Sequence, residues 1–546
     1  MTIPRKRCIY FAAAITLLAM SSPAAHADDR PLINVALQSI GSAAGSLENT
    51  ENYGTAARKV QNSIFEQLIA LDLGDPNLTP KPGLATEWHW IEPNVLEFKL
   101  GEGVKFQNGD TMTADDVVFS FSDERFGLLP AQVKARESGQ TTFTREDGTK
   151  GIVPPAVTAA SRVYLPLLKS VEKVNDLTVR FVMSEPSLDV EARLARLNYA
   201  SIISKRAFRE ASDWQEFVRA PVGTGPYKVA SFEPGATIRL VAHDDYWGGR
   251  PPLRELVFHI VPEAASRING LISGEYDIVS DIGPDQASLV TSMPGFDLVG
   301  GPVANIRYIQ LDERNGPLRN PLVRQALSYS IDRGTITKTL WNDLTNVTPG
   351  FQLPLLGKFF LEDHALPKYD PERAKQLLAA AGYKGEPITY QVQDNYYPNE
   401  LTVAQFNLEN LRAIGFNIDF SVTDRPNETS DKRMMFDISN TVHFAHPMAL
   451  LEGWCPNGSD NSKTNPNGMW QNDEFDSLCT VLRTTTDVEK ARSAFRRMLE
   501  IIEYEDPGFI VLHQNAILYG KRANISWKPS AIFAMPFGPG AIHVQQ

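Results

Sequence analysis

The sequence predicts an α/β protein of more than one domain, and three observations carry that expectation. At 546 residues and 42% hydrophobic content, the chain is too long for one core and too apolar for disorder. Alternating period-two and helical patterns run along most of it, as expected of sheets covered by helices. One block, between Leu84 and Met183, is instead dominated by short strands and turns.

The elements follow in order. Arg5, Lys6 and Arg7, the apolar run Cys8 to Met20 and the Ala25-His26-Ala27 site predict an export signal cleaved after Ala27, too short to remain as a membrane anchor. Cleavage would remove those three basic residues and no acid, taking the net charge from −12 to −15. So acidic a chain is a poor partner for nucleic acid, which requires clustered Lys and Arg. Pro31 to Gln38 reads as a strand, and Ala56 to Leu71 as a helix with Val60, Ile64, Leu68 and Leu71 on one face. In the β-rich block, Leu96 to Leu100 alternates strictly, Asn108-Gly109-Asp110 marks a turn, and Thr113 caps a helix with Asp115 and Asp116 in its first turn. Residues 127–160 are polar and aperiodic and read as irregular. Val171 to Met183 reads as a hairpin around Asn175-Asp176.

The stretch from Ala220 to Gly249 is a glycine-cornered turn followed by two strands, Tyr227 to Phe232 and Ile238 to Ala242, joined at Glu233-Pro234-Gly235. Its GTG is followed by a strand, so the helix N-terminus that a phosphate cradle needs is missing. Pro262 to Gly274 reads as a helix and Tyr276 to Ile278 as the start of a strand. Glycine and proline interrupt order between Gly300 and Tyr308, where a crossing between lobes is expected. Helical patterns follow over Asn320 to Trp341, over Asp370 to Gly382 and from Leu401 to Ile414. Ile388 to Gln393 reads as a strand, Val488 to Glu503 as an amphipathic helix, and Pro507 to Leu518 as a strand recrossing near His513 to Asn515. In an oxidising compartment Cys455 and Cys479 are expected to pair, although spacing alone does not establish bonding distance.

Several of these motifs, in this order, carry a resemblance: LATEW, LEFKLGEGVKFQNGDTMTADDVVFSF, GTGPYKV, EPG, DDYWGGRPPL, FHIVPEAASRINGLISGEYDI, NPLVRQALSYSIDRGTITKTLW and YDPERAKQLLAAAGY. Together they resemble the family 5 extracytoplasmic solute-binding proteins of ABC importers, the peptide, opine and nickel class. The resemblance implies two α/β lobes joined by a hinge, a small β-rich domain inserted in the first lobe, and a ligand enclosed between the lobes. The implied division is a signal peptide at 1–27, lobe 1 at 28–54, 186–302 and 514–546, the inserted domain at 55–185, and lobe 2 at 303–513. It also implies a periplasmic monomer that takes a small solute to a membrane permease with separate ATPase subunits, without a cofactor and without chemistry.

The final third departs from the family pattern. Dipeptide-binding relatives carry an arginine for the peptide carboxylate just after the Ile388 to Gln393 strand; this chain has Asp394, which cannot form the bidentate fork. The Trp-x-x-Asp motif that holds a peptide amine has two possible registers. One uses Trp454 with Asn457 in the acid's place. The other, preferred, places Asn440 at the tryptophan and His443 at the acid, with His446-Pro447 following. The ligand-facing candidates are therefore Asp394, Asn395, Tyr396, Asn440, His443, Trp454 and Asn457, with Asp394 reading equally as a solvated loop acid and Trp454 as core. A peptide-like or opine-like solute is expected, with an oligosaccharide or a nickel complex as the alternative on the same fold. An exported hydrolase is the alternative from another class, but neither G-x-S-x-G nor H-E-x-x-H is present, and no Walker A sequence occurs.

Overall fold

The computed structural model describes residues 1, 28–41, 45–48, 50–51, 54–126, 142–144, 150–153, 157, 164–197, 199–393, 396–423, 434–456 and 469–545. The expected export signal lies outside these, as do Asp394, Asn395, Asn457 and most of 127–163.

Among the described residues the dominant element is a ten-stranded mixed sheet. Across it run Tyr227–Glu233, Thr237–Ala242, Glu255–Ile260, Leu32–Leu37, Ile278–Ile282, Phe509–Arg522, Phe296–Leu311, Met435–Thr441, Ile388–Gln393 and Ile418–Thr423. The two central strands are the longest, and they pair antiparallel from Phe296 with Arg522 to Gln310 with Phe509. Their Phe296 and Arg522 ends adjoin Ile278–Ile282, over a core that includes Val35, Ile238 and Phe258. Their Leu311 and Phe509 ends adjoin Met435–Thr441, beside a separate core that includes Tyr390, Val392 and Leu411. Two lobes thus share one pair of strands, and these strands are the crossing.

Sequence reading expects order to be broken between Gly300 and Tyr308, yet Phe296–Leu311 runs through as one strand. The interruption is confined to its pairing with Phe509–Arg522, which slips between Pro302 and Ile306 and again between Arg307 and Tyr308. Within the first slip, the Gln514 amide donates to the Val303 carbonyl at 2.9 Å, so a side chain satisfies backbone that the ladder leaves unpaired. A slip at the boundary between two cores is where a strand pair bends most readily.

The β-rich block forms its own four-stranded sheet, in the order Ala85–Glu92, Val95–Leu100, Thr178–Met183, Leu168–Asn175. Its core includes Leu96, Phe98, Phe121 and Phe181, with Phe98 and Phe181 edge to face at 5.2 Å. Thr113 caps the helix Ala114–Ser120 as expected: its hydroxyl accepts from the Asp115 N–H, and Asp116 accepts from the Thr113 N–H at 3.0 Å. Within the stretch expected to be irregular, Thr142–Thr144 pairs with Lys150–Ile152.

The helix expected over Ala56 to Leu71 is a correction. Only Arg58–Gln61 is helical, and Ile69–Leu71 is a strand. The carbonyls a longer helix would use are engaged elsewhere. Ser63 O accepts from the Tyr227 N–H, and Ile64 O accepts from both the Gly225 N–H and the Gln107 side chain. Close backbone approach is what the GTG turn provides, since a Cβ at Gly223 would lie 2.3 Å from Ile64 O. Gly223→Ala is therefore expected to destabilise the protein by about 1–3 kcal/mol, because the obstructing atom is backbone and cannot rotate away. A melting temperature equal to wild type would contradict this reading of the turn.

The remaining helices fall close to their expected positions: Ala264–Ser273, Pro321–Tyr329, Pro371–Ala381, Glu400–Ile414 and Val488–Glu500. Cys455 and Cys479 form a disulfide, joining the turn Glu452–Trp454 to the helix Asp473–Thr484. No helix among the described residues is long and apolar enough to cross a membrane.

Candidate functional site

Side chains from the first part of the chain meet those of the second lobe across the cleft beside the crossing strands. Two charged groups organise the contact, and a third lies beside it. The first joins Arg58, from the short helix Arg58–Gln61, to His443, just beyond the end of the strand Met435–Thr441. The Arg58 guanidinium donates to His443 Nδ1, which leaves the ring neutral with its proton on Nε2. Burial, reinforced by the neighbouring Arg196 and Arg58, holds the His443 pKa well below its ordinary range. Burial and Arg196 likewise push Arg58 down to about 9. Tyr164 completes this group: its ring lies 3.4 Å beneath the Arg196 guanidinium and 6.2 Å from the His443 ring.

The second group centres on Arg193, from the helix Val190–Leu194. It bonds Asp189 at 2.5 Å on its own helix and Glu452 at 3.1 Å in the second lobe, with its guanidinium 4.5 Å from the Phe444 ring. The third lies within the second lobe. Arg307, on the crossing strand, bonds Glu400 at 2.7 Å, while Glu400 also accepts from the Tyr397 N–H at 3.2 Å. Arg307 lies 5.4 Å from the Tyr396 ring and 5.0 Å from that of Tyr397, so it holds this aromatic pair at the start of the helix Glu400–Ile414. Tyr397 in turn accepts from the Ser439 hydroxyl at 3.2 Å.

Of the residues singled out from sequence, the structure places His443 in the charged cleft group and Tyr396, exposed, beside Arg307. Asn440 donates to the Leu450 carbonyl at 2.8 Å, tying its strand to the turn that follows. Trp454 is 1% exposed and packs against Phe509, Tyr308 and Trp470 in the second lobe's core. That is the environment of a core residue. His446 is also buried, with Nδ1 accepting from the Met448 N–H and its pKa pushed down to about 4, chiefly by burial. Among the described residues, no group of three or more His, Cys, Asp or Glu is placed to hold a metal ion.

Sequence reading missed Arg58, Arg193, Arg196, Arg307, Glu400 and Asp437. One signal was available: Arg193 and Arg196 stand three apart in the run VEARLARL, a spacing that would put both on one face of a helix, although the helix Val190–Leu194 ends before Arg196. Asp437 had none. Its carboxyl is buried, accepts from the Tyr390 hydroxyl at 2.8 Å, and is pushed up to about 7 by burial and by Glu400, against the attraction of Arg307. A pKa raised on folding means that stability falls as pH rises from about 4 through 7, because the unfolded chain ionises first. Asp437→Asn keeps the acceptor for Tyr390 and removes that penalty. Thermal melts should show the variant more stable than wild type at pH 8 and close to it at pH 4. A variant less stable at pH 8 would contradict the assigned direction.

Two lobes on a shared strand pair, closing charged side chains between them, define a binding protein of the hinged two-lobe class. The family model for bacterial extracellular solute-binding proteins, family 5, matches residues 79–463, and the chain belongs to that family. It is 26% identical to Heme-binding protein A of Haemophilus influenzae, over 90% of this chain and 88% of that protein. It is also 26% identical to the Dipeptide-binding protein of Escherichia coli, over 82% of this chain and 83% of that one. In fold it matches the binding protein MoaA of A. tumefaciens R10, solved with mannopinic acid, at a TM-score of 0.77 and 23% identity, covering 95% of this chain and all of the other.

Proposed function

We propose that the protein captures a small peptide-like or opine-like solute in the periplasm and passes it, unchanged, to an ABC importer permease with separate ATPase subunits. The observation that carries this reading is the shared strand pair with its slipped pairing at Pro302 to Ile306, set beside a cleft whose opposing walls meet through Arg58–His443 and Arg193–Glu452. A ligand that touches both walls favours the closed arrangement by as much as it binds that state better. The protein acts as a monomer after cleavage at Ala27. Tyr396 and His443 contact the solute, with Asp394 and Asn395 retained as candidates from sequence, while Trp454 supports the second-lobe wall from behind.

A thermal-shift panel of dipeptides, tripeptides, mannopinic acid and oligosaccharides tests the reading, with mass spectrometry of the solute after incubation. A ligand at 100 times its dissociation constant should add about 2.7 kcal/mol, with the solute recovered intact. Turnover of the solute, or the absence of any stabilising solute, would overturn the proposal.

A further inference from the structure

Within the charged group around His443, one cation, Arg196, has neither a hydrogen bond nor an ion pair among the described residues. Arg196 is 2% exposed, and none of its three guanidinium nitrogens has a hydrogen-bond partner within the protein. Its guanidinium instead lies over two tyrosine rings, 3.4 Å from the Tyr164 centroid and 5.2 Å from that of Tyr199. Arg58, also buried, is lowered in basicity by burial and by the nearby Arg196 charge, and His443, neutral and with its Nε2–H free to donate, stands between the two lobes. The acids of the adjacent group, Asp189 and Glu452, are both engaged by Arg193. A buried guanidinium without an anion is costly, and contact with tyrosine rings recovers only part of that cost. Two guanidinium planes and an imidazole N–H match the planar, two-oxygen geometry of a carboxylate.

We propose that Arg58, Arg196 and His443 form a subsite for a carboxylate of the solute, which supplies the missing negative charge as the lobes close. This deepens the binding-protein reading and rests on it. The solute class is then an organic acid with a carboxylate directed at the first lobe.

The test compares wild type, Arg196→Met and Arg196→Lys, by thermal shift and calorimetry, with N-acetylglutamate, succinate and mannopinic acid as probes. Sodium chloride at matched ionic strength and inorganic phosphate serve as controls. In probe-free buffer Arg196→Met should melt higher than wild type, because an uncompensated buried charge is gone. The carboxylates should raise the wild-type melting temperature beyond the chloride control. Arg196→Met should bind them roughly tenfold to a hundredfold more weakly, the scale of a charged hydrogen bond, and Arg196→Lys should retain part of the affinity. A lower melting point for Arg196→Met without probe, equal carboxylate affinity in both proteins, or stabilisation by phosphate alone would overturn the proposal. If no carboxylate stabilises wild type but a neutral solute does, the subsite falls and the binding-protein reading stands. Carboxylate binding without any change in shape by X-ray scattering would leave the subsite standing and remove the closing mechanism.

Discussion

Arg193→Met is expected to destabilise the protein by about 3–5 kcal/mol at neutral pH, because it strands two buried carboxylates. In the intact group, burial alone would raise the pKa of both acids. Arg193 outweighs burial at Asp189, whose pKa is lowered, but not at Glu452, whose pKa stays raised. Without the guanidinium both acids would titrate above their unfolded values. By linkage the loss is then greatest above pH 7 and shrinks as the pH falls toward 5, where the folded state takes up the protons first. Denaturant melts at pH 5 and pH 8 would check this. A second protein carrying Arg193→Met, Asp189→Asn and Glu452→Gln together should recover much of the stability, since replacing a whole buried ionic group costs far less than breaking it. A pH-independent loss, unrelieved in the triple variant, would mean that Arg193 acts through packing on Phe444 rather than through charge.

Replacing Cys455 and Cys479 together by alanine is expected to cost about 3–4 kcal/mol by the chain-entropy relation for a sequence separation of 24. The bond lies in the second lobe's core, where Cys455 and Cys479 are both buried near Trp454 and Phe475, so the lost sulfurs also leave that packing short of atoms. A reductant should lower the melting temperature of wild type toward that of the variant and leave the variant unchanged. Equal melting temperatures for the two oxidised proteins would contradict a stabilising bond.

The fold was legible wherever local chemistry decides it. Thr113 with Asp116, Gly274 and Gly382 at helix ends, and the alternation in Leu96 to Leu100 each fix an element through neighbours in sequence. The helix expected over Ala56 to Leu71 failed for the opposite reason. Its apolar spacing is helical, but Ser63 and Ile64 give their carbonyls to Gly225 and Tyr227, some 160 residues away along the chain. The same distinction governs the site. His443 stood out because the preferred of two registers sets it opposite the acid of peptide-binding relatives, whereas Arg58 and Arg196 acquire meaning only when chain crossing brings them to that imidazole. Trp454 was singled out by residue type, and only packing distinguishes an aromatic that stacks on a solute from one enclosed by Tyr308, Phe509 and Trp470.

Closure of two lobes around a solute is the central claim, and small-angle X-ray scattering of the purified protein tests it most directly, with and without a solute that stabilises it. The account predicts one solute bound per chain, a smaller radius of gyration when it is bound, and recovery of the solute unaltered. A radius that stays the same at saturating solute would contradict it.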